Sequence, residues 1–300
     1  MKKLFILSTK AGYKNFIDFG NNIYETYRSN NRIKELEIQK TLHKNHAGEL
    51  AKNFAAENSD GIIYVCGGDG SLNEVANSIF GTDTSLGLIP MGTANDFSKN
   101  FNYKNFKIED TFAPDLEHID MIKINEKYCL NIMSLGFDTV ILNTAYEILE
   151  KCPGLQSSAY LLSVLKSLKN IETERLYMNL TLETGDEIDV KGNFIISALC
   201  NGSYYGSGFN PAPTADLSDG LLNLITLEET PFFKLIPLIF KYRKGTHLND
   251  KRVKEYIVKK GIIKSDKKII ANIDGEIFKS DVFDFEIIEN AITFHKVGVN

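Results

Sequence analysis

The chain is expected to fold as two domains, an N-terminal α/β domain with a parallel sheet flanked by helices and a mainly antiparallel β domain after it. Two patterns predict this. Strand-like and helix-like segments alternate through the first third, as in a parallel sheet covered by helices. From about Asp120 short runs rich in β-branched and aromatic residues dominate, with turn signals between them. Three hundred residues suffice for two cores. The domains are placed at 1–120 and 121–300, with the last strand a candidate to return to the first domain.

Lys3 to Leu7 reads as the first strand. The lysines before it resemble the start of a signal peptide, but the apolar run is short and Lys10 closes it. Asn15 to Tyr27 is patterned as an amphipathic helix, Glu35 to Lys40 as a strand and Ala47 to Glu57 as a helix. The strand Gly61 to Cys66, the helix Leu72 to Phe80 and the strand Leu86 to Ile89 follow. In the second half, strands are expected at Tyr128 to Met133, Leu176 to Leu182, Asn193 to Cys200, Leu221 to Leu227, Ile269 to Ile273, Phe283 to Ile288 and Ile292 to His295. Thr184-Gly185-Asp186, Asp219-Gly220 and Asp274-Gly275 are the turns. Helical insertions are expected near Ser157 to Leu168 and Phe232 to Tyr242.

With 43% hydrophobic and 24% charged residues the composition is that of an ordinary globular protein. A net charge of −5 argues against a polyanion binder, and no nucleic-acid module is legible. Cys66, Cys129, Cys152 and Cys200 have no ligand spacing and read as reduced, packed thiols of an intracellular protein.

The densest chemical signal is Gly67-Gly68-Asp69-Gly70-Ser71-Leu72-Asn73-Glu74, between a strand and a helix. Glycines there are expected to accept positive φ and to let a ligand reach bare backbone. The helix beyond offers unpaired N–H groups and a positive dipole end, which suit phosphate. A carboxylate inside a phosphate cradle repels its ligand unless a cation intervenes, so Asp69 points to a magnesium nucleotide. A second turn, Gly92-Thr93-Ala94-Asn95-Asp96, repeats this logic after the next strand. Capping alone would account for Ser71 with Glu74, and for Thr93 with Asn95-Asp96. Two such turns on neighbouring strands ask for more than capping. No Walker-type loop is present, and the GxGxxG pattern breaks at Asn73.

Asp274-Gly275 is a hairpin signal that leaves Glu276 unexplained. Asp216 and Asp219 are either turn residues or oxygen ligands for a hard cation. Lys241 to Lys260 holds eight Lys/Arg against Asp250 and Glu255, that is 8 − 2 = +6, after the apolar stretch Phe232 to Phe240. It is either a solvated face or, over 232–260, a contact for an anionic membrane.

Taken together, GGDGSLNEVANSI, LGLIPMGTANDF, LNIMSLGFDTV, NGSYYGSGFNPAPTADLSDGLLN and IDGE resemble the diacylglycerol kinase catalytic-domain family, in its bacterial lipid kinase branch related to sphingosine kinases. The resemblance implies a two-domain lipid kinase fold with a β-sandwich-like C-terminal domain that binds lipid. It implies ATP and magnesium as cofactors, a lipid acceptor such as diacylglycerol at a membrane surface, a cytoplasmic protein peripheral to the membrane's inner face, and a homodimer as a possible assembly. By position, Gly67, Gly68, Asp69, Gly70, Ser71, Asn73, Glu74, Gly92, Thr93 and Asn95 hold the nucleotide, with Thr41, Ser8 and Gly12 as further contacts. Asp96 lies near the chemistry, Glu276 matches the general base, and Asp219 with backbone oxygens of Asp216 and Leu221 matches a structural magnesium site. The opening loop reads Ser8-Thr9-Lys10-Ala11-Gly12 in place of the family's Asn-Pro-x-Ser-Gly, and Ser218 stands where a second Asp is usual. Acyl chains need apolar lining, for which Ile132, Leu135, Leu161 and Phe209 are candidates. The rival readings are another GGDG-type kinase, such as NAD kinase, and a non-catalytic regulator that keeps the fold.

Overall fold

A computed structural model describes residues 1–9, 16–137, 144, 163 and 171–296. Gly12, Cys152, Leu161 and, apart from Ser163, the helix expected near Ser157 to Leu168 lie outside the described residues. The chain divides into one unit of Met1–Ile119 with Asn290–Asn300, and a second of Asp120–Glu289.

In the first unit β1 (Lys3–Leu7), β2 (Leu36–Lys40), β3 (Ile62–Gly67) and β4 (Ser85–Pro90) form a parallel sheet in the order β2-β1-β3-β4. Every residue of β1 and β3 is buried, because helices cover a parallel sheet on its faces. The connecting helices are α1 (Phe16–Ser29), α2 (His46–Glu57) and α3 (Asp69–Ile79). Phe5, Leu7, Ile23, Tyr27, Ile62 and Tyr64 form the centre of the core, where the Phe5 and Tyr64 rings stack at 4.9 Å. The chain leaves β1 for β2 on one side and returns to β3 on the other. Such a reversal opens a crevice beyond the strand C-termini.

The second unit is built from antiparallel pairs. The nine-residue strand β5 (Leu116–Ile124), absent from the sequence expectation, enters it and pairs with β6 (Lys127–Cys129). The single strand expected at Tyr128 to Met133 is instead β6 and β7 (Ile132–Gly136), parted at Leu130-Asn131. β8 (Glu174–Leu182) and β9 (Glu187–Cys200) form a hairpin, with Gly185 at φ 89° in its turn. β10 (Leu222–Glu228) pairs with β9 and β11. α4 (Phe232–Lys244) precedes β11 (Val253–Ile273), which runs through the basic segment and is far longer than the expected Ile269 to Ile273. β12 (Glu276–His295) is one strand where two were expected, and its end joins the first unit with Phe294 beside Leu86 of β4.

Alternation sends β9 and β10 side chains into two cores. Ile196, Ala198 and Ile225 go to one, with Leu235, Leu238 and Tyr242 of α4; Leu199, Leu222 and Leu224 go to the other. Ile132 and Phe209 belong to the first of these and Leu135 to the second, so these candidates do not line one common cavity.

Candidate functional site

The C-terminal ends of β1, β2, β3 and β4 gather one set of the expected residues. Ser8 follows β1 and donates from Oγ to Ser71 Oγ at 2.7 Å. Thr41 follows β2; its Oγ1 accepts the Thr9 N–H at 3.1 Å, and its carbonyl accepts the Thr9 hydroxyl at 2.8 Å. The Gly67 carbonyl at the end of β3 accepts N–H groups from Met91 and Gly92 at 2.8 and 3.1 Å, which joins the two glycine turns.

Of the two roles expected for these glycines, positive φ does not apply. None of Gly67, Gly68, Gly70 and Gly92 has positive φ. A Cβ on Gly92 would lie 2.5 Å from Gly68 Cα, and one on Gly67 would lie 2.7 Å from Ser8 Oγ. Close approach of backbone to backbone therefore demands Gly68 and Gly92, while Gly67 makes room for the Ser8 side chain. A Cβ on Gly70 would meet nothing within 4 Å, so packing places no demand there.

The helix start also differs from expectation. α3 begins at Asp69 rather than Leu72, with extended Gly68 as N-cap and no side-chain cap. The Ser71–Glu74 capping box does not form, because Ser71 already lies in the helix and meets Ser8. The first-turn N–H groups of α3 consequently have no side-chain cap. Asn73 accepts from the Asn77 side chain, and Glu74 gives its carbonyl to the Ser78 hydroxyl. After β4 the chain makes a short 3-10 turn, Phe97–Asn100, in place of the expected helix, and neither Thr93 nor Asn95-Asp96 caps it. Thr93 is exposed. Asn95 sits at φ 50° and donates from Nδ2 to the Gly92 carbonyl at 2.7 Å. Its Oδ1 is buried without a hydrogen-bond partner among the described residues, the mark of a polar atom turned toward a missing one.

Asp69 links the turns. Its two carboxylate oxygens accept the N–H groups of Asp96 and Phe97, each at 3.0 Å. Burial, and then the Asp96 carboxylate, raise its pKa to about 6 against the pull of these N–H groups and of Lys99. Asp96 is buried and ion-paired with Lys99, a cation the sequence reading passed over. Only the i, i+3 spacing from Asp96 pointed to it. Two nearby carboxylates, an orphaned amide oxygen and uncapped helix N–H groups fit a phosphate chain with a divalent cation.

The second unit holds the other set. Asp274 and Gly275 form the two-residue turn between β11 and β12, with φ 47° and 90°, and Ile273 pairs with Glu276. The Asp274 carboxylate accepts N–H groups of Leu130, Asn131 and Ile132 at 2.6, 3.2 and 2.9 Å. Burial raises its pKa, and those N–H groups oppose the rise. Glu276 is exposed immediately after this anchored turn. Asn201 supports the same end, donating from Nδ2 to the carbonyls of Asp120 and Leu130 at 2.9 and 2.8 Å.

Asp216 and Asp219 are both exposed and both serve turns: Asp216 accepts from the Ser218 N–H and hydroxyl, and Asp219 from the Leu221 N–H at 2.9 Å. Asp120, which the sequence reading missed, accepts the Gly220 N–H at 2.8 Å. Burial raises the Asp219 pKa, with Asp216 and Asp120 adding to it, a field that a hard cation would relieve. Among the described residues one metal-competent group of three gathers, His43, His46 and Glu49. There the Leu42 N–H already occupies His46 Nδ1 at 3.0 Å.

Residues 2–124 match the family described as diacylglycerol kinase catalytic domain, and residues 131–294 the YegS C-terminal NAD kinase beta sandwich-like domain. A Staphylococcus aureus (strain Mu3) protein named "Putative lipid kinase" is 29% identical over 249 residues, covering 80% of this chain and 78% of its own. Two crystal structures of Bacillus anthracis str. Sterne proteins share the fold. One, named as a diacylglycerol kinase, has a TM-score of 0.73 at 20% identity and covers 98% of this chain and 96% of its own. The other, named "putative diacylglycerol kinase", has a TM-score of 0.79 at 22% identity and covers 98% and 97%.

Proposed function

The chain belongs to the diacylglycerol kinase catalytic-domain family, and on that premise we propose that it transfers the γ-phosphoryl group of ATP to a lipid hydroxyl. One observation supports this above the others: Asp69 binds the backbone of the second glycine turn and so makes two turns into one rigid cradle. Helix capping would need neither that link nor glycine at both Gly68 and Gly92.

The uncapped N–H groups of α3, the bare backbone at Gly70 and the turn Gly92 to Asn95 bind and orient the nucleotide phosphates. Magnesium, when bound, supplies charge neutralisation on the phosphate oxygens. Asp69 and Asp96 are the carboxylates that would hold it. Glu276 takes the proton of the acceptor hydroxyl, a carboxylate role that suits a weakly acidic alcohol. Asp274 is a positioning residue, fixing the turn from which Glu276 projects. A structural magnesium would be held by Asp219 with the backbone oxygens of Asp216 and Leu221.

The test is incubation of the purified protein with γ-labelled ATP and a total lipid extract, followed by mass spectrometry of the labelled product. A labelled lipid that disappears with Asp69→Asn and with Glu276→Gln is the expected outcome. The C-terminal family's description names NAD kinase, so NAD is included as a second acceptor. Labelled NAD without labelled lipid would replace the lipid reading. Nucleotide binding without transfer to either acceptor would make the protein a regulator.

A further inference from the structure

We infer that the outward face of α4 is a docking surface for an anionic lipid bilayer. α4 buries Leu235, Leu238 and Tyr242, at spacing i, i+3 and i+7, in the second unit's core. Its opposite face carries Phe233, Ile236 and Phe240 at the same spacing, and these are 69%, 38% and 52% exposed. A surface helix ordinarily turns polar residues outward. This one is apolar on both sides, and the outer stripe has no cover within its own unit.

Charge identifies the occupant. Lys234, Lys241, Arg243 and Lys244 flank the outer stripe and are exposed, and residues 231–249 contain no Asp or Glu. None of the four makes an ion pair among the described residues, although Arg243 lies 5.5 Å from the centre of the Phe209 ring. Beyond the helix the run is mixed: Arg252 is tied to Asp250 and Lys254 to Glu228, while Lys251, Lys259 and Lys260 are exposed, so on α4 alone do unpaired cations sit beside an exposed apolar stripe. An apolar stripe between cations matches acyl chains beneath anionic headgroups. A second copy fits poorly, since a symmetric pairing of this face would set the same cations against each other. Thirteen residues make a helix of about 20 Å, short of a bilayer core of about 30 Å, so α4 would lie along the surface. Among the described residues no helix is long and apolar enough to cross.

Docking is independent of the kinase reading and is measured without ATP. The full chain is sedimented with vesicles of phosphatidylcholine, with and without phosphatidylglycerol. Binding is expected only to the vesicles containing phosphatidylglycerol, and it should weaken as salt rises. The double variant Phe233→Ser/Phe240→Ser should bind at least about tenfold more weakly. So should Lys234→Glu/Lys241→Glu, and both should keep the wild-type thermal midpoint. Unchanged vesicle binding in either double variant, or none by the wild type, would overturn the inference. So would self-association abolished by the phenylalanine pair with vesicle binding intact, which would identify a second copy as the occupant.

Discussion

Asp69-Gly70 in the first unit and Asp274-Gly275 in the second are the same dipeptide, and in both the carboxylate binds backbone N–H groups of a distant segment. Asp69 stands in the first turn of a helix, and its glycine has open space where a side chain would be. Asp274 stands at φ 47° in a hairpin, and its glycine is at φ 90°. Gly275 answers a demand of the backbone itself. Gly70 answers none, and its backbone is open to the ligand approach proposed for it.

The largest effects should come from the acids. Glu276→Gln is expected to lower kcat by about 10²- to 10⁴-fold with the unfolding midpoint unchanged, since the side chain is exposed. Asp274→Asn should instead combine a loss of about 1–3 kcal/mol in stability with a fall in kcat at unchanged nucleotide KM. Urea titration with steady-state kinetics measures both, and equal behaviour of the two variants would erase the distinction between base and positioning residue.

Asp69 carries a pH signature. Its folded pKa of about 6 exceeds the ordinary carboxylate value, so its contribution to stability is fully present below about pH 4 and is lost as pH rises toward 6. The proposed phosphoryl transfer, in which Asp69 acts as a carboxylate, should rise through the same window. The stability of the wild type relative to Asp69→Asn is expected to drop by up to about 3 kcal/mol between pH 4 and 7. Urea midpoints of both proteins at the two pH values check this, and parallel curves would remove Asp69 as the titrating group.

The glycines give the smaller effects. Gly92→Ala forces a Cβ to within 2.5 Å of Gly68 Cα and should cost about 1–3 kcal/mol. Gly275→Ala, strained by its positive φ, should cost about 1–2 kcal/mol. Gly70→Ala should be neutral or stabilising by up to about 1 kcal/mol, yet weaken nucleotide binding. Thermal melts paired with nucleotide titration separate the three. A destabilised Gly70→Ala would show that packing, not access, selects that glycine.

The first unit was legible almost strand for strand because buried parallel strands are short continuous apolar runs between helices. β11 was legible only at its end. Its outward lysines at 254, 259, 260, 264, 267 and 268 obscure the alternation, and pairing with β8, β10 and β12 makes the strand. Both glycine turns could be read from sequence, since strand, glycines and polar residues adjoin. The bond from Asp69 to Asp96 and Phe97 could not, because it joins residues that meet only when β3 and β4 pair. The same holds for Asp120 under Gly220 and for Asp274 on Leu130 to Ile132.

Local order alone determined the succession of elements in the first unit, the two glycine turns and the hairpin at Asp274-Gly275, because periodicity and turn chemistry act over a few neighbouring residues. Tertiary structure decided the rest. It gave Gly68 and Gly92 their reason through backbone contact, turned Asp69 from a free carboxylate into a link between turns, and left the cations of α4 exposed while pairing Arg252 and Lys254 within the same unit. Each of these depends on sheet register and burial, which bring together groups that no local pattern relates.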